Sequence, residues 1–263
     1  MGKTTGISWT DASWNPWQGC TKVSPGCKNC YMYRDKTRYG QDPMTVVRSK
    51  PATFNAPLKW NLPERSRIFV CSWSDFFHED ADDWRYEAWD IIEKLPQYDF
   101  LIPTKRIERF GIIEADGFIF PKNVWLGVSV ENQEMADKRI PLLLKIPAPI
   151  RWLSIEPMLG RIDLRHIQSD YVLFDVLGKN RFDYGGNGFG CAAPMRDGID
   201  WVVFGGESGS GCRPCDTDWI RYGLEQCRVA RVPAFVKQLG GWPDTRSMLE
   251  DLPEDLRIRQ FPY

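Results

Sequence analysis

The sequence lacks any apolar run approaching the roughly 20 residues that cross a bilayer. It also lacks an excess of either charge: 34 lysines and arginines stand against 35 aspartates and glutamates, a net of −1. That balance excludes a global basic field of the kind that advertises nucleic-acid binding, so any such contact has to be local. Histidine is scarce, and His78 and His166 stand too isolated to be assigned as ligands. No solenoid-type repeat recurs along the chain. The first residues carry no signal-peptide core, and Gly6 breaks the myristoylation pattern. Gly2-Lys3-Thr4 lacks the strand and first glycine of a phosphate loop. These absences predict a cytosolic protein, where thiols stay reduced and grouped cysteines mean metal more often than disulfide.

What the chain does have is thiol, concentrated near its start. Cys20, Cys27 and Cys30 lie within eleven positions, broken by a Ser24-Pro25-Gly26 turn. Convergent thiolates bind soft metals, either zinc or the irons of an iron–sulfur cluster. A structural zinc site is closed by four protein ligands, and no fourth cysteine or histidine lies nearby in sequence. Asp75 or His78 could close such a site from a distance. A cubane cluster on three cysteines instead leaves one iron open, an arrangement suited to catalysis. Cys212 and Cys215 form a second C-x-x-C pair, which Cys191 could join as an auxiliary metal site. Cys71, inside an apolar run, and Cys227, at helical spacing from Ile220 and Leu224, read as core.

With 43% hydrophobic residues, the chain can build one large core. Strand-length apolar runs rich in β-branched and aromatic residues occur at 68–72, 100–104, 124–130, 151–156, 201–204 and 234–236. A further strand before Cys20 is expected. Asp82-Asp83 can cap a helix whose apolar positions Trp84, Ala88, Ile91, Ile92 and Leu95 follow the 3.6 period up to Pro96. Asp216-Thr217 can start another. Strand–helix alternation predicts parallel βαβ units and an α/β fold, a partial TIM-like (β/α) barrel over residues 1–263, with a doubly wound sheet as runner-up. Residues 165–199 break the rhythm and read as a loop-rich insertion, with room for a small hairpin. The tryptophans between Trp9 and Trp17 fit water exclusion, base stacking or packing of an open sheet edge equally well.

Strand parity then selects side chains, because residues i and i+2 share a face. Val124, Leu126, Val128 and Val130 face the helices, leaving Ser129 and Glu131 on the inner face with Trp125 and Gly127. Trp152, Ser154 and Glu156 share the inner face of the next strand, and Glu207 continues the phase of Val203 and Gly205. Glu131, Glu156 and Glu207 are thus expected at strand C-terminal ends, where barrel active sites lie. Gly205 and Gly206 remove bulk there and let a ligand approach the backbone. Glu207, Lys237 and Lys105 are the candidate catalytic residues, with Glu207 and Lys237 expected as a pair that fixes substrate polar groups. Lys105, Arg106, Lys237 and the basic run after Cys30 are the local contacts open to a nucleic acid.

These motifs resemble a known group. Residues 7–20, Ser24-Pro25-Gly26-Cys27, Cys30-Tyr31, Pro103-Thr104-Lys105-Arg106, Gly127-Val128-Ser129-Val130-Glu131-Asn132, Leu153-Ser154-Ile155-Glu156-Pro157-Met158, Gly205-Gly206-Glu207-Ser208-Gly209 and Phe235-Val236-Lys237-Gln238 look like the phage-associated three-cysteine family. That family is mostly uncharacterised and is related to radical S-adenosylmethionine enzymes. The resemblance implies a radical-enzyme-type partial barrel in a bacterial or phage-infected cytosol. Its first loop would carry a [4Fe–4S] cluster on Cys20, Cys27 and Cys30. The open iron would chelate S-adenosylmethionine, and an external electron donor would drive its cleavage to a 5′-deoxyadenosyl radical. By analogy and parity together, Ser72, Ser74 and Asp75 would meet the methionine end of the cofactor. Ser129, Glu131, Ser154 and Glu156 would meet the rest, with Gly205 and Gly206 giving close approach. The resemblance leaves the substrate open, with a nucleotide or nucleic-acid base as the option that a phage context suggests. Six residues separate Cys20 from Cys27, where the commonest radical-enzyme loop has three. The alternatives are a zinc-stabilised binding or nucleic-acid-processing protein, and a barrel that keeps the cluster as a staple without catalysis.

Overall fold

The computed structural model describes residues 5–113, 118–169, 172–178 and 198–263. Cys191 and most of the expected insertion lie outside the described residues. The elements are β1 (Ala12–Trp14), β2 (Trp17–Gln18), α1 (Tyr31–Arg38), β3 (Val47–Arg48), α2 (Pro51–Phe54), β4 (Arg67–Val70), α3 (Asp82–Glu93), β5 (Asp99–Thr104), α4 (Phe110–Ile113) and β6 (Val124–Ser129). They continue with α5 (Gln133–Leu144), β7 (Ile150–Ile155), β8 (Ile167–Ser169), β9 (Val172–Phe174), β10 (Trp201–Gly205), α6 (Thr217–Ala230) and β11 (Ala234–Gln238). All six expected strands are present, as is the one before Cys20. Among the described residues no helix is long and apolar enough to cross a membrane.

The main sheet has the strand order β1-β4-β5-β6-β7-β10-β11. β1 runs parallel to β4, β4 to β5, β7 to β10 and β10 to β11. A doubly wound sheet reverses direction at a switch point. This order never reverses, so the runner-up topology is set aside, and the mixed α/β chain is compatible with a partial (β/α) barrel. The chain divides into two compact units, Met1–Gly127 and Val128–Tyr263.

In the first unit the tryptophans of the opening segment are core. Trp9, Trp14 and Trp17 are all buried. Trp14 lies edge-on to Phe54 and Phe100, and its indole N–H donates to the Phe54 carbonyl at 3.0 Å. Packing of an edge strand therefore accounts for them, and none is free to stack on a ligand. Helix α3 begins at Asp82 with Ala81 as its N-cap, so the Asp82-Asp83 pair sits in the first turn and does not cap. There the carboxylates still favour the positive helix end. Asp82 is also bound by Arg85 and Arg109, both at 2.7 Å.

In the second unit Asn132 caps α5 and Asp216 caps α6 through their side chains, the latter as expected from sequence. Ile220, Leu224 and Cys227 form the buried face of α6. Burial holds the Cys227 thiol up at about 12, so it stays a neutral core side chain. β8 and β9 form the small antiparallel hairpin expected in the insertion. Ile258 and Gln260 lie against the outer edge of β11: Val236 N–H donates to the Ile258 carbonyl at 2.8 Å and Gln260 N–H to the Ala234 carbonyl at 2.9 Å.

Candidate functional site

The three cysteines occupy the loop between β2 and α1, past the C-terminal end of β1. A short helical turn, Pro25–Cys27, uses Pro25 and the Ser24 carbonyl to fold the middle of the loop back on itself. Cys30 is the N-cap residue of α1. The loop is tied down at both ends. Gly19 N–H donates to the Trp73 carbonyl and Cys20 N–H to that of Pro43, at 2.9 and 3.0 Å. Gly19 has φ +101°, and a side chain there would run into the Thr45 carbonyl, so glycine is required. Tyr33 donates its hydroxyl to the Cys20 carbonyl, and Tyr31 donates to the Ser72 carbonyl at 2.5 Å.

Cys20, Cys27 and Cys30 are half-buried free thiols. Burial, and then the charges of all three cysteines, push the Tyr33 hydroxyl up to about 12, so one phenol senses the whole group. Burial and Asp75 push the Cys20 thiol up to about 12, against the opposing pull of Arg106. Among the described residues no group of three or more histidine, cysteine, aspartate or glutamate side chains is arranged to hold a metal ion. In kind, the donor set suits a soft metal: three thiols on one braced loop, with a buried guanidinium beside them.

The loop after β4 supports the cysteines. Ser72 Oγ accepts from the Asn15 amide at 2.9 Å, and Ser74 Oγ donates to the Gly19 carbonyl at 2.5 Å. Asp75 is buried and accepts at both oxygens, from Thr104 Oγ1 (2.7 Å), Lys105 N–H (2.8 Å) and Phe77 N–H (3.0 Å). His78 is engaged at both ring nitrogens. Nδ1 accepts from Asp80 N–H at 3.2 Å, so Nε2 carries the proton and donates to Thr21 Oγ1 at 3.1 Å. Burial and the nearby Arg106 hold its pKa below the ordinary value, keeping the ring neutral. Asp75 and His78 are therefore committed within the chain, which disfavours either as a fourth zinc ligand.

In the second unit the expected glutamates take three different environments. Glu131 is fully buried and bound by Arg139 of α5 at 2.9 Å, whose guanidinium also donates to the Ser129 carbonyl at 2.7 Å. It locks helix to strand and offers nothing to an open mouth. Glu207 is buried against Arg213, which donates from Nη2 (2.5 Å), Nε (3.0 Å) and its backbone N–H (2.8 Å). Lys237 reaches Glu156 at 2.7 Å, across β10, with both side chains partly exposed. The expected Lys237–Glu207 pair is thus corrected to Lys237–Glu156. Gly205 makes the meeting possible, since a Cβ there would stand 2.7 Å from Glu156 Oε1. Gly206 likewise packs against the Leu239 backbone and the Cys215 side chain. Ser154 is buried on β7. Burial pushes the Cys215 thiol to about 11, and Cys212 stands nearby in the same loop, without the further ligands of an auxiliary site among the described residues.

Residues 4–255 match the model of a family described as protein of unknown function (DUF5131). The chain belongs to this family. No curated protein and no solved structure matches it. In this member of the family the loop of Ser72, Ser74 and Asp75 braces the segment that carries Cys20, Cys27 and Cys30 in the first unit, and Glu156, Gly205 and Lys237 meet in the second. Lys105 joins that loop through its backbone N–H on Asp75. Sequence reasoning missed Thr21, Tyr33, Arg139 and Arg213 as partners. Arg106 had been read only as a local basic contact. The tyrosine spacing inside α1 carried a signal: Tyr33 lies three residues past Cys30, the offset that returns a helical side chain toward its own N-terminus.

Proposed function

We propose that this protein is a radical S-adenosylmethionine-type enzyme whose cysteine loop holds a [4Fe–4S] cluster through Cys20, Cys27 and Cys30. One observation carries the reading: three free, half-buried thiols on a loop past the end of the first parallel strand, braced by Tyr33 on the Cys20 carbonyl and Ser74 on the Gly19 carbonyl. The non-reversing strand order supports it, because parallel α/β sheets bind ligands at strand C-terminal ends. Bound there, the cluster would supply the electron that cleaves a carbon–sulfur bond of S-adenosylmethionine.

The chain's own residues hold and shield. Asn15, Ser72 and Ser74 fix the loop after β4 to the cysteine loop. Trp17 closes the floor through its indole N–H on the Asp75 carbonyl at 3.1 Å. Glu156 and Lys237 present a partly exposed ion pair able to exchange partners with the polar groups of a ligand. If the resemblance to a phage-associated family related to radical enzymes holds, nucleotides and nucleic-acid bases are the first substrates to screen, with an external electron donor.

The test is anaerobic reconstitution with iron and sulfide. The protein should turn brown, absorb near about 400 nm, and release 5′-deoxyadenosine from S-adenosylmethionine when reduced. Cys20→Ala, Cys27→Ala and Cys30→Ala should each lose most of the iron. Colourless protein holding zinc alone would reject the proposal. Iron and sulfide without cleavage would leave the cluster as a fold staple.

A further inference from the structure

Charge is unevenly spread in the first unit. Residues 20–50 hold seven lysines and arginines against two aspartates, although the whole chain holds 34 against 35. Three of the seven are engaged within the fold. Lys36 is buried beside the Thr45 carbonyl, and Arg48 reaches Glu87 at 2.5 Å. Lys22 lies over the Tyr33 ring and donates to the Lys28 carbonyl at 3.0 Å. The other four, Lys28, Arg34, Arg38 and Lys50, are exposed. Arg34 comes no nearer a carboxylate than 3.9 Å, at Asp35. The side chains of Lys28, Arg38 and Lys50 have no hydrogen-bond or ion-pair partner among the described residues. Arg106 differs: it is buried on Thr21 Oγ1 at 2.6 Å, with Glu79 at 3.8 Å, and is closed to a ligand.

On α1 the offsets i, i+3 and i+7 set Tyr31, Arg34 and Arg38 in one exposed stripe. The stripe begins at the cysteine loop, since Tyr31 follows Cys30. Tyr31 is held by its hydroxyl on the Ser72 carbonyl and stays 37% exposed. Tyr39, at the far end of the helix, is 69% exposed. The helix dipole accounts for a cation in the last turn, as Arg38 is, but not for Arg34 or for Lys28 before the helix starts. A solvated face needs no aromatic rings. Open tyrosines at both ends of a row of unpaired cations suit a single strand, with phosphates on the cations and bases on the rings. A bilayer would need an apolar face, and the open side of α1 is charged.

We infer that the exposed stripe of α1 binds single-stranded nucleic acid and leads it to the cysteine loop. The inference deepens the substrate reading above and rests on it for the chemistry alone, because binding needs no cluster.

Binding of a short fluorescein-labelled single strand, as DNA and as RNA, is followed by anisotropy at a series of salt concentrations on the protein as purified. Affinity should fall with salt by a log–log slope of about −0.7 per phosphate neutralised. Changing Arg34→Gln and Arg38→Gln together should weaken binding about tenfold or more and make the slope shallower by about 1.4. The corresponding Arg→Lys pair should bind as wild type. Tyr39→Ala should weaken binding about tenfold and leave the slope unchanged, because stacking releases no ions. Melting curves check that each variant folds, and Lys28→Gln, outside the helix, repeats the charge test if either helix variant melts early. Absent binding at low salt overturns the inference, as do variants that bind like wild type. Equal affinity for a duplex with Tyr39→Ala silent marks a general polyanion surface, and tighter binding to anionic phospholipid vesicles marks a membrane surface; either overturns it. The exposed acids of α3 make a second copy the other competitor. Self-association in light scattering that the arginine changes abolish, without strand binding, assigns the stripe to that copy and overturns the inference. Strand binding without S-adenosylmethionine cleavage rejects the enzyme reading and keeps this one, and cleavage without strand binding does the reverse.

Discussion

At the residue scale, single missing side chains decide which charges can meet. Gly205 is the clearest case. Its absent Cβ leaves room for the Glu156 carboxylate to cross β10 and reach Lys237. Gly205→Ala puts a methyl group 2.7 Å from Glu156 Oε1, so the flexible Glu156 side chain would have to swing away from Lys237. We expect a loss of about 1 kcal/mol or less, the usual worth of a partly exposed ion pair, read as a slightly lowered denaturant midpoint with an unchanged m-value. The same variant should abolish any ligand binding that uses the pair. Strand parity put Glu156 and Gly205 on the inner face, and Lys237 meets Glu156 over Gly205. It could not say that Lys237 would pass over Glu207, because Glu207 is claimed by Arg213, six positions later on a loop with no periodic pattern. Parity likewise set Glu131 facing inward, and the helix residue Arg139 then took it. Side-chain period reports a face; it does not report which of two nearby cations arrives.

At the scale of elements, α6 and β10 show propensity and packing in opposition. Gly223 lies inside α6, where alanine would favour the helix by about 1 kcal/mol. A Cβ at Gly223, however, would collide with the ring of Phe204 on β10, both residues being buried. Packing should win, since a ring wedged in a strand cannot yield a full ångström. Gly223→Ala is expected to destabilise by about 1–2 kcal/mol in urea unfolding, and a gain in stability would show that α6 can lift from the sheet. The elements themselves were easy to read in the sequence. Apolar runs marked six of the seven strands of the main sheet, and Asp216 announced α6. The connections between them were harder. Asn15 meets Ser72 at a separation of 57 positions and Arg106 meets Thr21 at 85. Such partnerships follow from the sheet bringing distant strand ends together, and no local pattern encodes them.

At the scale of the whole molecule, charge and ligand set the conditions of stability. Asp99 opens β5 as a buried residue, and burial raises its carboxyl from an ordinary 3.8 to about 6, against the pull of Arg65 at 3.1 Å. Between those two values the folded chain holds the proton that the unfolded chain releases. Stability should therefore fall as pH rises from about 4 to about 6, then stay level as far as Asp99 is concerned. Asp99→Asn should remove that slope and raise the melting temperature at neutral pH by about 2–4 °C, the equivalent of roughly 1 kcal/mol in a chain of this size. Cluster loading should act in the same sense. Bound metal stabilises only the state that binds it, so stripping the reconstituted protein with a chelator should lower its melting temperature by several degrees, and should have no effect on the Cys27→Ala variant. The short segment at Ile258–Gln260 has a consequence of another kind. It supplies partners to Val236 and Gln260 supplies one to the Trp201 indole, at 2.8 Å for both, while Phe261 stacks on Trp201. Without it, β11 would offer a bare row of hydrogen-bonding groups to the next molecule in solution, the geometry that seeds aggregation. A version shortened after Arg257 should come out of solution on concentration, whereas a soluble tag joined beyond Tyr263 should be harmless.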